Sequence, residues 1–123
     1  MKNLEQALIV LVLVEHLYFL VLEMFLWQKP KGLRVFQMTS EFAKSTAVMA
    51  ANQGLYNGFL AMGLAWGLWF SPVEFSHSIF IFFLSCIFIA GIYGGYSVNR
   101  RIFFLQGVPA CLALVLEFCS GVL

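Results

Sequence analysis

The stretch Glu15-His16-Leu17-Tyr18-Phe19-Leu20-Val21-Leu22-Glu23 sets three ionisable groups inside an apolar run, from about Leu4 to Trp27, that is long enough to cross a bilayer. A charged side chain near a bilayer centre costs roughly 2.5–3.5 kcal/mol on insertion scales, so such residues face a bundle interior and have partners there. The run therefore predicts a membrane helix with a polar site buried against its neighbours.

The rest of the chain agrees with that reading. Of 123 residues, 62% are hydrophobic and 11% charged, with a mean hydropathy of +0.91; soluble domains carry about 25% charged residues. At about 20 apolar residues per membrane helix, the length predicts one domain over 1–123: four spans, short connections and no soluble module. The expected spans cover about residues 4–27, 44–70, 77–98 and 102–122. Gln28-Lys29-Pro30-Lys31-Gly32 ends the first, because proline and glycine block helix continuation. A cap at Thr39 or Ser40 precedes the second, Ser71-Pro72 follows it, and Asn99-Arg100-Arg101 is a turn tight enough to make the last two spans antiparallel neighbours.

Four spans place Lys29, Lys31, Arg34, Lys44, Arg100 and Arg101 on one face and Lys2 alone on the other. By the positive-inside rule the crowded face is cytoplasmic and both termini are outside. The basic residues are thus topology signals with lipid partners, and no nucleic-acid binding is expected. Trp27, Trp66 and Trp69 fall near span ends, as an interfacial aromatic belt requires. Lys2 and the apolar run after it resemble a signal peptide, but Glu15 and His16 interrupt the run and no small-residue cleavage site follows, so the segment is expected to be retained. Cys86, Cys111 and Cys119 lie inside spans, odd in number and without a CxxC pair, so neither a disulfide framework, a metal site nor a cofactor is expected. Leu33, Val35, Phe36, Met38 and Phe42 interleave with charges between the first two spans, the pattern of a short amphipathic element at the inner surface.

Depth sorts the polar residues. His16 and Glu23 are seven positions apart and share a helical face, whereas Glu15 is turned by about 100°. In the second span Asn52, Gln53, Tyr56 and Asn57 occupy an arc of about 140°, at the depths of Glu23 and of the Glu15–His16 pair. Tyr93, between Gly91 and Gly94-Gly95, and Gln106, beside Gly107, belong to the same cytoplasmic half; Glu117 lies about 16 Å further along the last helix. The expected arrangement is a polar chamber open to the cytoplasm, built from Glu23, Asn52, Gln53, Tyr93 and Gln106, with Glu15, His16, Tyr56 and Asn57 as its deeper wall. The bland alternative is interhelical glue, worth about 0.6 kcal/mol per hydrogen bond in membrane bundles. His77 reads as an interfacial loop residue. Gly54/Gly58, Gly63/Gly67 and Gly91/Gly95 have the spacing that lets helices approach closely, within one chain or in a homo-oligomer. Pro109 should bend the last span and free the Leu105 carbonyl.

Glu15-His16-Leu17-Tyr18, Glu23-Met24-Phe25-Leu26-Trp27, Ala51-Asn52-Gln53-Gly54-Leu55-Tyr56-Asn57-Gly58-Phe59-Leu60, Ala90-Gly91-Ile92-Tyr93-Gly94 and Gln106-Gly107-Val108-Pro109-Ala110 resemble a family of small bacterial membrane proteins, the domain-of-unknown-function family numbered 1304. The resemblance covers nearly the whole chain and implies a four-span inner-membrane protein; it implies no activity, substrate or cofactor. Three functions fit the residues. One is binding of a small molecule or proton-coupled cargo. The second is an isomerase-like enzyme with Glu and His as acid and base on a lipophilic substrate, and the third an accessory subunit whose polar residues only join helices.

Overall fold

The computed structural model describes residues 2–121. Val122, where the last span was expected to end, lies outside the described residues, and so does the side chain of Lys2. Every regular element described is helical. α1 (Lys2–Met24) is followed by a turn, the short α2 (Pro30–Val35), α3 (Ser40–Ala65) with a π-helical continuation (Trp66–Phe70), α4 (Val73–Ser97), and then α5 (Arg100–Ile102), a second π segment (Phe103–Gly107) and α6 (Val108–Gly121) in one rod.

Three stretches are long and apolar enough to cross a membrane: Asn3–Met24, Val73–Ser97 and Arg100–Ser120. They make this a membrane protein. α3 is long enough, at 26 residues, but Glu41, Lys44, Asn52, Gln53 and Asn57 lower its hydropathy.

The element boundaries have local causes. Proline disfavours helical backbone in the residue before it, and Lys29 is extended at φ −86°, ψ 160°, so α2 starts afresh with Pro30 at its first position. α1 accordingly ends at Met24, three residues short of Trp27, and the Phe25 and Leu26 amides both bond the Val21 carbonyl, at 3.0 and 3.1 Å. α2 stops where Gln37 takes φ 52° and the Met38 amide closes back on the Leu33 carbonyl at 3.1 Å. Thr39 caps α3, its hydroxyl accepting from the Phe42 amide at 3.2 Å. Pro109 does not simply bend its helix. The turn before it widens to π geometry, with the Val108 amide reaching the Phe103 carbonyl five residues back, which accommodates the proline ring and its missing N–H. The π segment before Pro72 repeats the device, Ser71 N–H to Trp66 carbonyl at 2.9 Å.

Contacts between elements fix an antiparallel ring, α1 on α3, α3 on α4, α4 on α6 and α6 on α1. Its register can be followed residue by residue: Trp27 meets Thr46, Glu23 meets Gln53, Gly58 faces Leu20, Gly67 faces Phe80, Gly91 faces Gly107, and His77 meets Glu117. Glu5, His77 and Glu117 consequently stand at one end of the bundle, and Glu23, Lys29, Lys44 and Arg100 at the other. Ile9, Val12, Leu64, Leu84, Ile87, Ala110 and Ala113 fill the space between.

The glycines set the helix spacing within the chain. A Cβ on Gly54 would meet Met24 Cγ at 2.7 Å, and one on Gly91 would meet Gly107 Cα and N at 2.6 Å. Gly58, Gly63, Gly67 and Gly95 face Leu20, Phe83, Phe80 and Phe103 in the same way. Within the chain, Gly54 and Gly58 thus face α1, Gly63 and Gly67 face α4, and Gly91 and Gly95 face the second π segment, each at the close approach that the spacing allows.

Candidate functional site

α1 turns one stripe inward: Glu5, Ile9, Val12, His16, Leu20 and Glu23, at intervals of three or four residues. Glu5, His16 and Glu23 are 8%, 0% and 4% exposed, so three ionisable groups sit inside the bundle along about 27 Å of one helix. Each has a different set of partners.

Glu23 is fully engaged. Gln53 donates from Nε2 to Oε1 at 2.9 Å, and Asn57 donates from Nδ2 to Oε2 at 2.7 Å. Neutral amides satisfy both oxygens and bring no compensating positive charge to the carboxyl. Beside it opens a cavity of about 270 Å³ lined by Glu23, Met24, Trp27, Gln28, Lys29 and Ala47. Trp27 is fixed at its edge by an indole N–H bond to Thr46 Oγ1 at 3.1 Å and by Phe36, whose ring centroid is 4.7 Å away. Phe36, the residue that follows α2, thereby ties that short helix to Trp27 at this end of the bundle.

His16 lies deeper. Its Nδ1 donates to the Val12 carbonyl one turn back at 2.7 Å, which leaves Nε2 as an acceptor, buried and without a partner. Glu15 is half-buried on the adjoining face with Oε2 likewise unpartnered. Seven residues of helix, about 10 Å, separate His16 from Glu23.

The chamber expected from all four helices is smaller in the structure. Glu23, Gln53 and Asn57 come together; Asn52, Tyr56 and Tyr93 are exposed, Tyr56 at 58% and Tyr93 at 70%. At 100° per residue, Gln53 and Asn57 flank the glycine stripe of α3 that rides on α1, while Asn52 and Tyr56 lie about 160° from Gly54, on the far side. Gln106 is half-buried in the second π segment at the α4–α6 crossing, away from Glu23's partners.

At the opposite end the structure assembles a second cluster. Glu117, 3% exposed, lies with Oε1 2.7 Å from His77 Nδ1. Glu5 stands within hydrogen-bonding reach of the same carboxyl. Glu5 Oε2 and Glu117 Oε2 are buried and have no donor among the described residues. His77 is not the loop residue expected: α4 begins at Val73, so His77 projects from its second turn. Glu5 was legible as the continuation of the His16 stripe by −4, −7 and −11; its pairing with Glu117 depends on tertiary register. Among the described residues no group of three His, Cys, Asp or Glu is arranged to hold a metal ion.

A curated bacterial relative, the uncharacterized protein YpaA of Lactococcus lactis subsp. lactis (strain IL1403), is 34% identical over 110 residues, covering 88% of this chain and 91% of the relative. No solved structure matches. The family model described as protein of unknown function (DUF1304) matches residues 10–118, a stretch that holds His16, Glu23, Gln53, Asn57, His77 and Glu117 and starts after Glu5. The chain belongs to the DUF1304 family.

Proposed function

We propose that the chain is a four-span protein of the bacterial inner membrane, both termini outside, that binds a small polar molecule at Glu23 from the cytoplasmic side. α3 is the fourth span in this reading: Gln53 and Asn57, which lower its hydropathy, are turned onto Glu23. The antiparallel register gathers Lys29, Lys31, Arg34, Lys44, Arg100 and Arg101 at the Glu23 end, which the positive-inside rule makes cytoplasmic.

One observation carries the binding reading. A buried carboxyl with both oxygens held by neutral amides forms one wall of a cavity of about 270 Å³ with a fixed indole and a lysine at the rim. A ligand group that presents an N–H or a positive charge meets the free lone pairs of Glu23, and Trp27 offers it an apolar face. Acid–base catalysis is supported less well, because His16 stands about 10 Å along the helix from Glu23, beyond the reach of one substrate position. Movement of cargo across the membrane would require Ile9, Val12, Leu64 and Leu84, all fully buried, to part.

Native mass spectrometry of the protein released from its own lipid, unmodified and as Glu23→Gln, tests the proposal. The expected result is a bound small molecule that is lost on substitution. No bound mass in either form, with folding unchanged, would leave Gln53 and Asn57 as interhelical glue and overturn the binding reading.

A further inference from the structure

We propose that Glu5, His77 and Glu117 form a proton-binding site at the end of the bundle opposite Glu23, in which Glu5 and Glu117 share one proton and His77 links it to the surface. The proposal stands apart from the binding reading of the Glu23 cavity, on observations at other residues.

Three helices bring these groups together, Glu5 from α1, His77 from α4 and Glu117 from α6. Both glutamates are more than nine-tenths buried, and each has one oxygen that receives no donor from the described residues. Two ionised carboxylates held side by side in a site closed to water would repel, and neither unpartnered oxygen would be satisfied. A single proton resolves both faults: carried by one carboxyl, it is donated as an O–H to the other and fills the two vacant positions at once. No lysine or arginine side chain among the described residues stands at this end to serve instead, the facing segment of α3 and its π continuation, residues 58–70, has no ionisable side chain, and Glu74 on the first turn of α4 is exposed.

A metal ion fits less well. Divalent cations of the calcium type take six to eight oxygens, whereas this site offers two vacant ones. The proton has a route of its own. The His77 side chain is 39% exposed, with Nδ1 2.7 Å from Glu117 Oε1. Imidazole can take a proton from solvent at Nε2 while releasing the one on Nδ1 to Glu117, so one proton enters for each taken up, and the reverse sequence returns it.

Infrared spectroscopy of the full chain in lipid nanodiscs at neutral pH tests this through the carbonyl stretch of a protonated carboxyl. In Glu5→Gln or Glu117→Gln the new amide N–H replaces the shared proton, so both variants should keep the fold. Each should lose the same protonated-carboxyl band, and the double variant should lose no more than either alone. His77→Phe should retain the band but slow its exchange into D₂O several-fold. Persistence of the band in both single variants, or its disappearance from the unmodified protein on adding sodium or calcium at fixed pH, would overturn the proton site; unchanged exchange in His77→Phe would remove His77 from it.

Discussion

Glu23 and Glu117 are both glutamates buried inside the same bundle, yet their surroundings are opposite in kind. Glu23 faces two amides, which can only complement a negative charge; Glu117 faces an imidazole and a second carboxyl, which can hold or pass a proton. The contrast shows that an intramembrane acid is not a function in itself. Neutral donors favour the ionised form of such a group against the cost of burial, whereas a second acid makes it a partner in sharing a proton.

The comparison is most severely broken by disturbing the helix spacing on which the distant end depends. Gly91→Ala would drive a methyl group against the backbone of Gly107, where no side chain can swing aside. α4 and α6 must then separate and His77 move relative to Glu117; thermal unfolding in detergent should show a loss of about 2–3 kcal/mol.

Next in size is a direct test of the difference in donors. Asn57→Leu strips Glu23 Oε2 of its only protein donor, and should cost about 2 kcal/mol by the same measurement, since hydrogen bonds to charged groups are worth about 1.5–3 kcal/mol. Glu5→Leu, which removes one partner of the proposed shared proton, should cost less, about 1 kcal/mol, because Glu117 can keep that proton, whereas Glu23 in Asn57→Leu loses a donor that nothing replaces. Equal losses in the two variants would erase the distinction between the ends.

The smallest expected effect lies at the rim of the cavity. Trp27→Phe keeps the aromatic contact with Phe36 but forfeits the N–H bond to Thr46, at a cost of about 0.5–1 kcal/mol. It should weaken any ligand bound beside Glu23 without altering the behaviour of Glu5 and Glu117.

How much of this was legible in the sequence follows from what kind of information each feature needs. Periodicity on one helix was enough to put His16 and Glu23 on an inward stripe, and depth along antiparallel spans was enough to bring Gln53 to the height of Glu23; Asn57, expected deeper, beside Glu15 and His16, instead reaches the Glu23 carboxyl. The rotation of α3 was not available from polarity alone. Asn52 and Tyr56 belong to the same polar arc, but packing is dictated by Ala50, Gly54, Gly58 and Ala61, the small residues that let α1 approach, and the arc turns half outward as a result. His77 was misjudged because Ser71, Pro72, Glu74, Ser76 and His77 dilute the hydropathy there, whereas the helix start is governed by Pro72, whose extended backbone hands over directly to Val73. Glu5 continues the His16 stripe, but nothing in the pattern of one helix assigns it a partner. Only the crossing of α1 and α6, a contact between the two ends of the sequence, places it beside Glu117.

The central claim, a ligand cavity at Glu23 reached from the cytoplasm, is tested most directly by labelling a cysteine placed in its wall. Ala47 lines the cavity and is half-buried, so Ala47→Cys, in a background with Cys86, Cys111 and Cys119 replaced by serine or alanine, puts a thiol there without adding bulk. A membrane-impermeant maleimide should modify it in inside-out vesicles and leave it untouched in right-side-out ones. Labelling from the outer face, or from neither face in a folded protein, would contradict the account.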